Sequence, residues 1–491
     1  MTEESSDSPD IEPEQLEQKR AAKEEQPLVS WGEDGEDAIL TEEDDMLLDD
    51  YCSVMDDFGC KAYEDLAKSL DEKVYRWIRV EARPDESISN IKTQSDVLAK
   101  IEEVRSQQTK FGPSDLYKRK WRTLRETDTM VINGDRSQQK TSFSVLQFNV
   151  LAEGLSSGPG VKTPFPAEKK SDDSGEDSLK NNYGGFSQIG HPDICLDFPL
   201  RRWRLLEVIL GLPSIEPFEE GKYTSSNYYE GMFDILAMEE MDRFRGFFAP
   251  LLRLFGYEGI FMPKTKSPGV PLGFYSDGCA LFWKTTMFEL VAEERFQFVV
   301  GNQVMMLATL RHRETGNPLL VAVTHLKAQK SDTNEMIRCK QVDELLKHVH
   351  EAAERLAKED GLEKVQILIV GDFNADPPQE ITSTESSVRR VLSNRQRTTD
   401  DGAAKDAPKE ISLKFSSAYP VDPPPTNFYT TYKKRGNYET KRVIDYIFYS
   451  DALECVQTLG VPPVEELEGG LLPGLRYPSD HLMIAARFEV S

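Results

Sequence analysis

The sequence predicts an α/β protein built on a two-sheet β-sandwich flanked by helices, and three observations lead there. From Phe143 onward, short aliphatic and β-branched runs alternate with amphipathic stretches and with turns rich in Gly, Pro and Asp. Consecutive runs at 279–283, 303–310 and 319–324 are joined by segments too short for a parallel crossover, so they should be antiparallel neighbours. Polar, chemically capable residues recur at the ends of these runs, where an assembled sheet would gather them.

The chain has 491 residues, of which 38% are hydrophobic, enough for a substantial core. Its formal charge of −26 is unevenly placed: residues 1–50 hold 19 acidic against three basic side chains, which leaves the remainder only mildly acidic. A protein that tracks duplex nucleic acid through a broad basic face is therefore disfavoured, while a local basic pocket is not. The six cysteines show neither close pairing nor a Cys-x-x-Cys, and read as reduced thiols rather than a disulfide frame or zinc site. No apolar run approaches membrane-spanning length, and the first residues are acidic, unlike a signal or transit peptide. A cytoplasmic or nuclear setting is expected.

Residues 1–50 are too poor in large apolar groups to offset their chain entropy, so a disordered acidic tail is expected, one that would recruit a protein partner. Within 51–125, Val54, Phe58, Tyr63, Leu66, Leu70, Val74 and Trp77, then Val97, Ile101 and Val104, recur at helical intervals. This helical segment is either a flap on the main domain, the favoured reading, or a partner-binding module. The basic cluster Lys118-Arg119-Lys120-Trp121-Arg122 reads as a solvated linker. The main domain, 140–491, is expected to place strands at 143–148, 233–238, 279–283, 303–310, 319–324, 365–370, 443–449 and 482–490. Helices are expected at 202–210, 247–255 and 336–358, the last with an apolar stripe from Val342 to Leu356 and Gly361 at its C-cap. Polar stretches at 155–197, 213–231 and 394–410 lack periodicity and read as surface loops or local disorder.

The most informative run is Val365 to Val370, which ends in Gly371-Asp372-Phe373-Asn374 and two prolines. Side chains two apart on an extended segment point the same way, so Asp372 and Asn374 project together while Phe373 turns to the core. An Asx-rich turn would account for this loop alone. Other strands end or begin in the same chemistry: Gln147-Phe148-Asn149, Met238-Glu239-Glu240, Thr324-His325-Leu326-Lys327, Ile444-Asp445-Tyr446 and Pro478-Ser479-Asp480-His481. Singly, His325 would more often be structural and Asp445 a satisfied core carboxylate. Six such ends in one chain speak for a site.

These six ordered motifs, with Phe248-Ala249-Pro250-Leu251-Leu252, Pro263-Lys264, Ser276-Asp277-Gly278-Cys279 and Asn302-Gln303-Val304 between them, resemble the endonuclease/exonuclease/phosphatase superfamily. Within it, the likeness is to the nocturnin branch, kin of the carbon catabolite repressor deadenylases, and it covers 143–489. The resemblance implies the fold of that superfamily and hydrolysis of phosphoesters with Mg²⁺. It implies Glu240 as the principal Mg²⁺ ligand with Asn149 and Asp480 nearby, few protein ligands suiting an ion that keeps several waters. Asp372 would orient or deprotonate the attacking water, and Asn374 and His325 would donate to phosphoryl oxygens. His481 would sit at the phosphoryl centre held by a carboxylate; Asp445 suits this better than Asp480, because adjacent side chains of an extended segment diverge.

Lys264 and Lys327 match basic residues of the nocturnin phosphate pocket, and Asn302 joins them as a substrate-binding expectation. Two departures stand out: Glu239 where the family usually has Gln, and Gln329 where nocturnin has Arg. The substrates this implies are adenine nucleotides. One is NADP(H), losing its 2′-phosphate; the other is the 3′ end of polyadenylated RNA, shortened stepwise. The alternatives are another small phosphorylated molecule, or a catalytically idle relative acting as a scaffold.

Overall fold

The chain is described by a computed structural model covering residues 79–81, 84–124, 141–167, 183–186, 188–211, 233–378, 386–393, 413–421, 427–467 and 471–490. The acidic tail, the periodic stretch 54–78 and the loops 213–231 and 394–410 lie outside the described residues.

Among the described residues the strands form two main sheets and one hairpin. The first sheet runs β1 (Trp121–Thr123), β14 (Leu453–Leu459), β15 (Ile484–Val490), β2 (Ser142–Asn149), β3 (Ile235–Met241), β5 (Gly278–Lys284) and β4 (Tyr257–Pro263). The second runs β10 (Phe415–Ser417), β13 (Asp445–Ser450), β9 (Gln366–Asp372), β8 (Pro318–His325), β7 (Val304–His312) and β6 (Phe288–Gln297). β11 (Thr431–Arg435) and β12 (Tyr438–Arg442) pair as the hairpin.

Each main sheet holds one parallel pair, β2 with β3 and β8 with β9, and each pair is joined across a helix. These crossover helices are α2 (Phe198–Ile209) and α3 (Asp332–Asp360), while α1 (Gln94–Gln108) precedes the first sheet. Side chains from both sheets meet in one apolar core, Val145, Leu236 and Leu281 with Val321, Val323, Val370 and Ile447. The alternate residues Leu320, Ala322, Ile367 and Ile369 face the stripe Val342, Leu345, Val349, Ala353 and Leu356 of α3. Burial on both faces is why β8 and β9 read as unbroken apolar runs instead of alternating ones.

Parallel pairing brings β9 close to β8, and Gly371 permits it: a Cβ there would lie 1.9 Å from Thr324 O. The register then aligns the strand tips, with Asp372 opposite His325 on one side and Asp445 on the other, and Asn149 opposite Glu239 in the first sheet.

Several expectations need correction. The run 279–283 does not pair with 303–310: it is β5, between β3 and β4 of the first sheet, and the chain changes sheet afterwards. The partner of β7 is β6, which sequence reading missed because this edge strand carries exposed Glu and Val side chains with only partial alternation. The helix expected at 247–255 is present but starts and ends earlier: a wide π turn over Phe244–Phe248 leads into an α-helix at Ala249–Arg253. Within the stretch read as loop, Phe186, Ile189, Cys195 and Leu196 bury against Leu151 and Leu475 in a small satellite cluster. Arg119 is no solvated linker residue: it is buried and donates to Gly460 O and Met483 O at 2.7 Å each, while Lys118 and Lys120 stay exposed. α1 packs on α2 and gives Val97, Ile101 and Val104 to the main core, and β1 extends the first sheet.

Candidate active site

The polar strand tips converge. Asp372 ends β9 and lies 3.6 Å from His325 Nε2 and 3.9 Å from His481 Nε2. Its third neighbour is the Asn149 amide, which donates to Asp372 at 3.1 Å and to Glu240 at 3.1 Å. Asn149 is thus a crosspiece between two carboxylates from different sheets, and its own oxygen accepts from Leu151 N–H. Burial first, then Asp445, raises the Asp372 pKa to about 6, against the pull of His481.

Glu240 reaches the cluster through a bulge. The β3–β5 register slips between Met238 and Met241, and Glu240 adopts φ 55°, left-handed backbone that a non-glycine residue enters only under constraint. The extra residue turns Glu240 toward Asn149, and Ala152 N–H donates to its other oxygen at 3.2 Å. The preceding Glu239 is fully buried, accepting from Gln147 Nε2 at 2.8 Å. Burial, Asp445 and Asp372 push its pKa well above the carboxylate range.

His481 Nδ1 stands 3.0 Å from Asp445 Oδ2, and Gln147 Nε2 donates to the other Asp445 oxygen. Burial works against the charged ring, but Asp445 outweighs it and carries the His481 pKa up to about 9. Asp480 turns away from His481, to Lys433 Nζ at 2.6 Å and Arg435 at 3.4 Å. Burial opposes its charge, yet Lys433, His481 and Arg435 hold it well below the usual carboxylate range. Lys433 also lies 3.2 Å from His481 Nε2. Two nitrogen donors side by side can both donate to one oxyanion placed next to them.

His325 is buried with Nδ1 3.5 Å from Lys264, and burial and Lys264 keep its pKa well below normal, so the ring is neutral. Lys264 itself is buried against Asp277 at 2.6 Å, and burial's penalty is more than offset by that carboxylate. Asn374 sits at φ 52° with its N–H on Asp372 Oδ1 at 2.9 Å, an Asx turn, and its amide donates to Leu326 O. Arg442 braces this loop through Asp376 and Asn374 O.

Two further expected residues have their partners fixed by the surrounding loops. The Asn302 carboxamide donates to Lys266 O and accepts from Gln303 Nε2. Lys327 is held through its backbone N–H by Gln341. Sequence reading missed Lys433 and Arg435, which reach the site from the hairpin: a lysine-rich strand carries no motif, and only its docking beside Asp480 reveals it.

The donor set fits a hard divalent cation. Carboxylates of Glu240 and Asp480 offer oxygen, and Oδ1 of Asp480 and Oε1 of Glu239 are buried with no hydrogen-bond partner. Ligand atoms of Asp372, Asp445 and His481 also lie within 4.8 Å of one another. No helix of the described residues is long and apolar enough to cross a membrane.

Comparison with known proteins places the chain in a family. The Endonuclease/Exonuclease/phosphatase family model matches residues 196–481. Nocturnin of Xenopus laevis is 30% identical over 367 residues, 72% of this chain and 74% of that protein. The CCR4-Not complex 3′-5′-exoribonuclease subunit Ccr4 of Yarrowia lipolytica is 27% identical over 311 residues, 52% of this chain and 41% of that one. Among solved structures, the human Nocturnin catalytic domain with bound sulfate anion is 26% identical, with a TM-score of 0.46 over 76% of this chain and 97% of that one. The chain belongs to the endonuclease/exonuclease/phosphatase family, as a nocturnin-like phosphoester hydrolase.

Proposed function

We propose that the chain is a Mg²⁺-dependent hydrolase that removes a terminal phosphate from an adenine nucleotide, with the 2′-phosphate of NADP(H) as its substrate. The observation that carries this is the buried Lys264, ion-paired with Asp277 and beside His325. A cation enclosed at the cluster suits one compact phosphate better than a long polyanion.

Glu240 and Asp480, with Asn149 alongside, would hold the ion, which supplies neutralisation of charge growing on the phosphoryl oxygens. Asp372 accepts a proton from the attacking water as its oxygen bonds to phosphorus and the bond to the ribose oxygen breaks; that oxygen leaves with a proton from solvent. The His481–Lys433 pair and neutral His325 donate to the phosphoryl oxygens, and Asp445 keeps the His481 ring turned inward. Asn374 supports the loop on which Asp372 is mounted.

A second reading, 3′ to 5′ removal of AMP from polyadenylated RNA, is favoured by the likeness to Ccr4 exoribonuclease subunits. The test is purified protein with Mg²⁺, given NADPH and an RNA with a 3′ oligo(A) end side by side. Phosphate release without shortening of the RNA supports the first reading, shortening alone the second. Chelator-insensitive turnover would remove the metal from both. Residues 1–50 as a partner-recruiting tail, 51–125 as a flap and 140–491 as the catalytic domain complete the proposal, in the cytoplasm or nucleus.

A further inference from the structure

The two parallel crossovers share a device that the hydrolytic chemistry does not use. Each leaves its first strand through a non-glycine residue in left-handed backbone, Leu151 (φ 58°) after β2 and Gln329 (φ 71°) after β8. Such residues hold this conformation only where their surroundings over-determine it. In both, the carbonyl of that residue accepts from a buried arginine on the crossover helix: Leu151 O from Arg201 at 2.7 Å, Gln329 O from Arg338 at 2.9 Å.

Arg201 reaches further. Its Nη1 also donates to Val150 O at 3.0 Å and Pro478 O at 3.2 Å, and its Nη2 to Ser156 Oγ at 3.1 Å. Val150 follows Asn149, and Pro478 stands two residues before Asp480. One guanidinium therefore joins the segment leaving Asn149 to the segment that delivers Asp480 and His481. Ser479 adds a parallel tie: its hydroxyl donates to Asn149 O at 2.7 Å and accepts from His481 N–H at 3.2 Å.

We propose that Arg201 is a positioning residue for the metal-facing end of the site, its planar fork fixing the spacing between Asn149 and the Asp480–His481 segment and thereby the affinity for a divalent cation. The inference rests on the metal reading above. Arg201 is fully buried, yet all four of these hydrogen bonds go to carbonyls and a hydroxyl rather than to a carboxylate. A buried cation held this way is costly for stability alone. Positioning of two ligand-bearing segments explains its presence; burial lowers its pKa to about 10, opposed first by the charges of Asp242 and Glu153 and then by those of Asp480 and Glu240 on the site side. Lysine would keep the charge but, as a point donor, cannot span carbonyls on two segments.

The test is calorimetric titration of Mg²⁺ into the full chain without substrate, for wild type, Arg201→Lys and Arg204→Lys, with melting temperatures in EDTA alongside. Arg201→Lys is expected to weaken Mg²⁺ binding by about tenfold or more, the usual effect of losing an outer support of a metal ligand. Arg204 is buried on the same helix but bonded to Ser114 O and paired with Glu207, so Arg204→Lys should lower the melting temperature and leave Mg²⁺ affinity unchanged. Unchanged affinity in Arg201→Lys, whatever its melting temperature, overturns the positioning role. Absence of Mg²⁺ binding by wild type overturns the metal reading instead. Should Arg201→Lys not fold, Ser479→Ala cuts the parallel tie between the same segments, and unchanged affinity there counts equally against the proposal.

Discussion

Asp445 and Asp372 stand directly opposite each other across the antiparallel pair of β13 and β9, two carboxylates on neighbouring strands at one buried strand edge. Like charges so placed resist joint ionisation, and the strain is shared out by chemistry: Asp445 takes His481 Nδ1 as partner, while Asp372 is left with a pKa raised to about 6.

Asp445→Asn should therefore change the pH profile as well as the rate. Burial and Asp445 both raise the Asp372 pKa, to about 6, so removing one charge lowers it and moves the acid limb of kcat to lower pH than in wild type. The rate at pH 7.5 should fall by about 10²-fold or more, because His481 loses the acceptor that orients it. Steady-state rates between pH 4.5 and 8 decide; a lower rate with an unmoved acid limb would mean that Asp445 does not act on Asp372.

Glu240 combines a strained backbone with the metal-ligand role proposed for it. Left-handed backbone at a non-glycine residue costs on the order of 1–3 kcal/mol, which glycine would relieve. Glu240→Gly should lose Mg²⁺-dependent hydrolysis and keep its folding stability within about 1 kcal/mol of wild type, relief of strain offsetting the lost bonds to Asn149 and Ala152. Hydrolysis assays and urea denaturation check the two halves separately. A folded variant that retains activity would exclude Glu240 as a ligand.

Glu239 is buried beside Asp445 and Asp372 with one oxygen unpartnered. Its native pKa lies above its unfolded value, so the native state binds the proton more tightly and stability falls as pH rises from about 4.3, the unfolded value. Gln cannot ionise, so Glu239→Gln should gain stability over wild type with increasing pH, by about 1 kcal/mol or more at pH 8 and little at pH 4. Urea midpoints in EDTA at the two pH values measure this. An equal difference at both would show that Glu239 does not titrate with folding.

Gly371→Ala should be among the most damaging single changes in the chain. Its Cβ would lie 1.9 Å from Thr324 O, so β8 and β9 must part exactly where His325 and Asp372 are aligned. A loss above about 3 kcal/mol is expected, seen as a collapse of soluble yield or of the melting temperature. Wild-type stability in this variant would contradict the parallel register.

Much of the strand content could be read from residue order alone, because burial on both faces writes itself as unbroken apolar runs, as in β8 and β9. The six polar strand ends were legible too, since each follows or opens such a run. Edge strands were harder: β6 is half-exposed and β1 is three residues long, so neither carries a periodic signal. Sheet membership was misjudged for β5, because a short connection shows that a parallel crossover is excluded but not which sheet the next strand joins.

What the sequence determined by itself is therefore local: which segments are apolar enough to be strands, and which chemical groups stand at their ends. Tertiary structure alone decided the pairings among those groups. Lys433 meets Asp480 and Asn149 spans Glu240 and Asp372 because sheet register and hairpin docking bring together residues from distant parts of the chain. Such contacts depend on packing between elements, and no periodicity or spacing along a single segment encodes them.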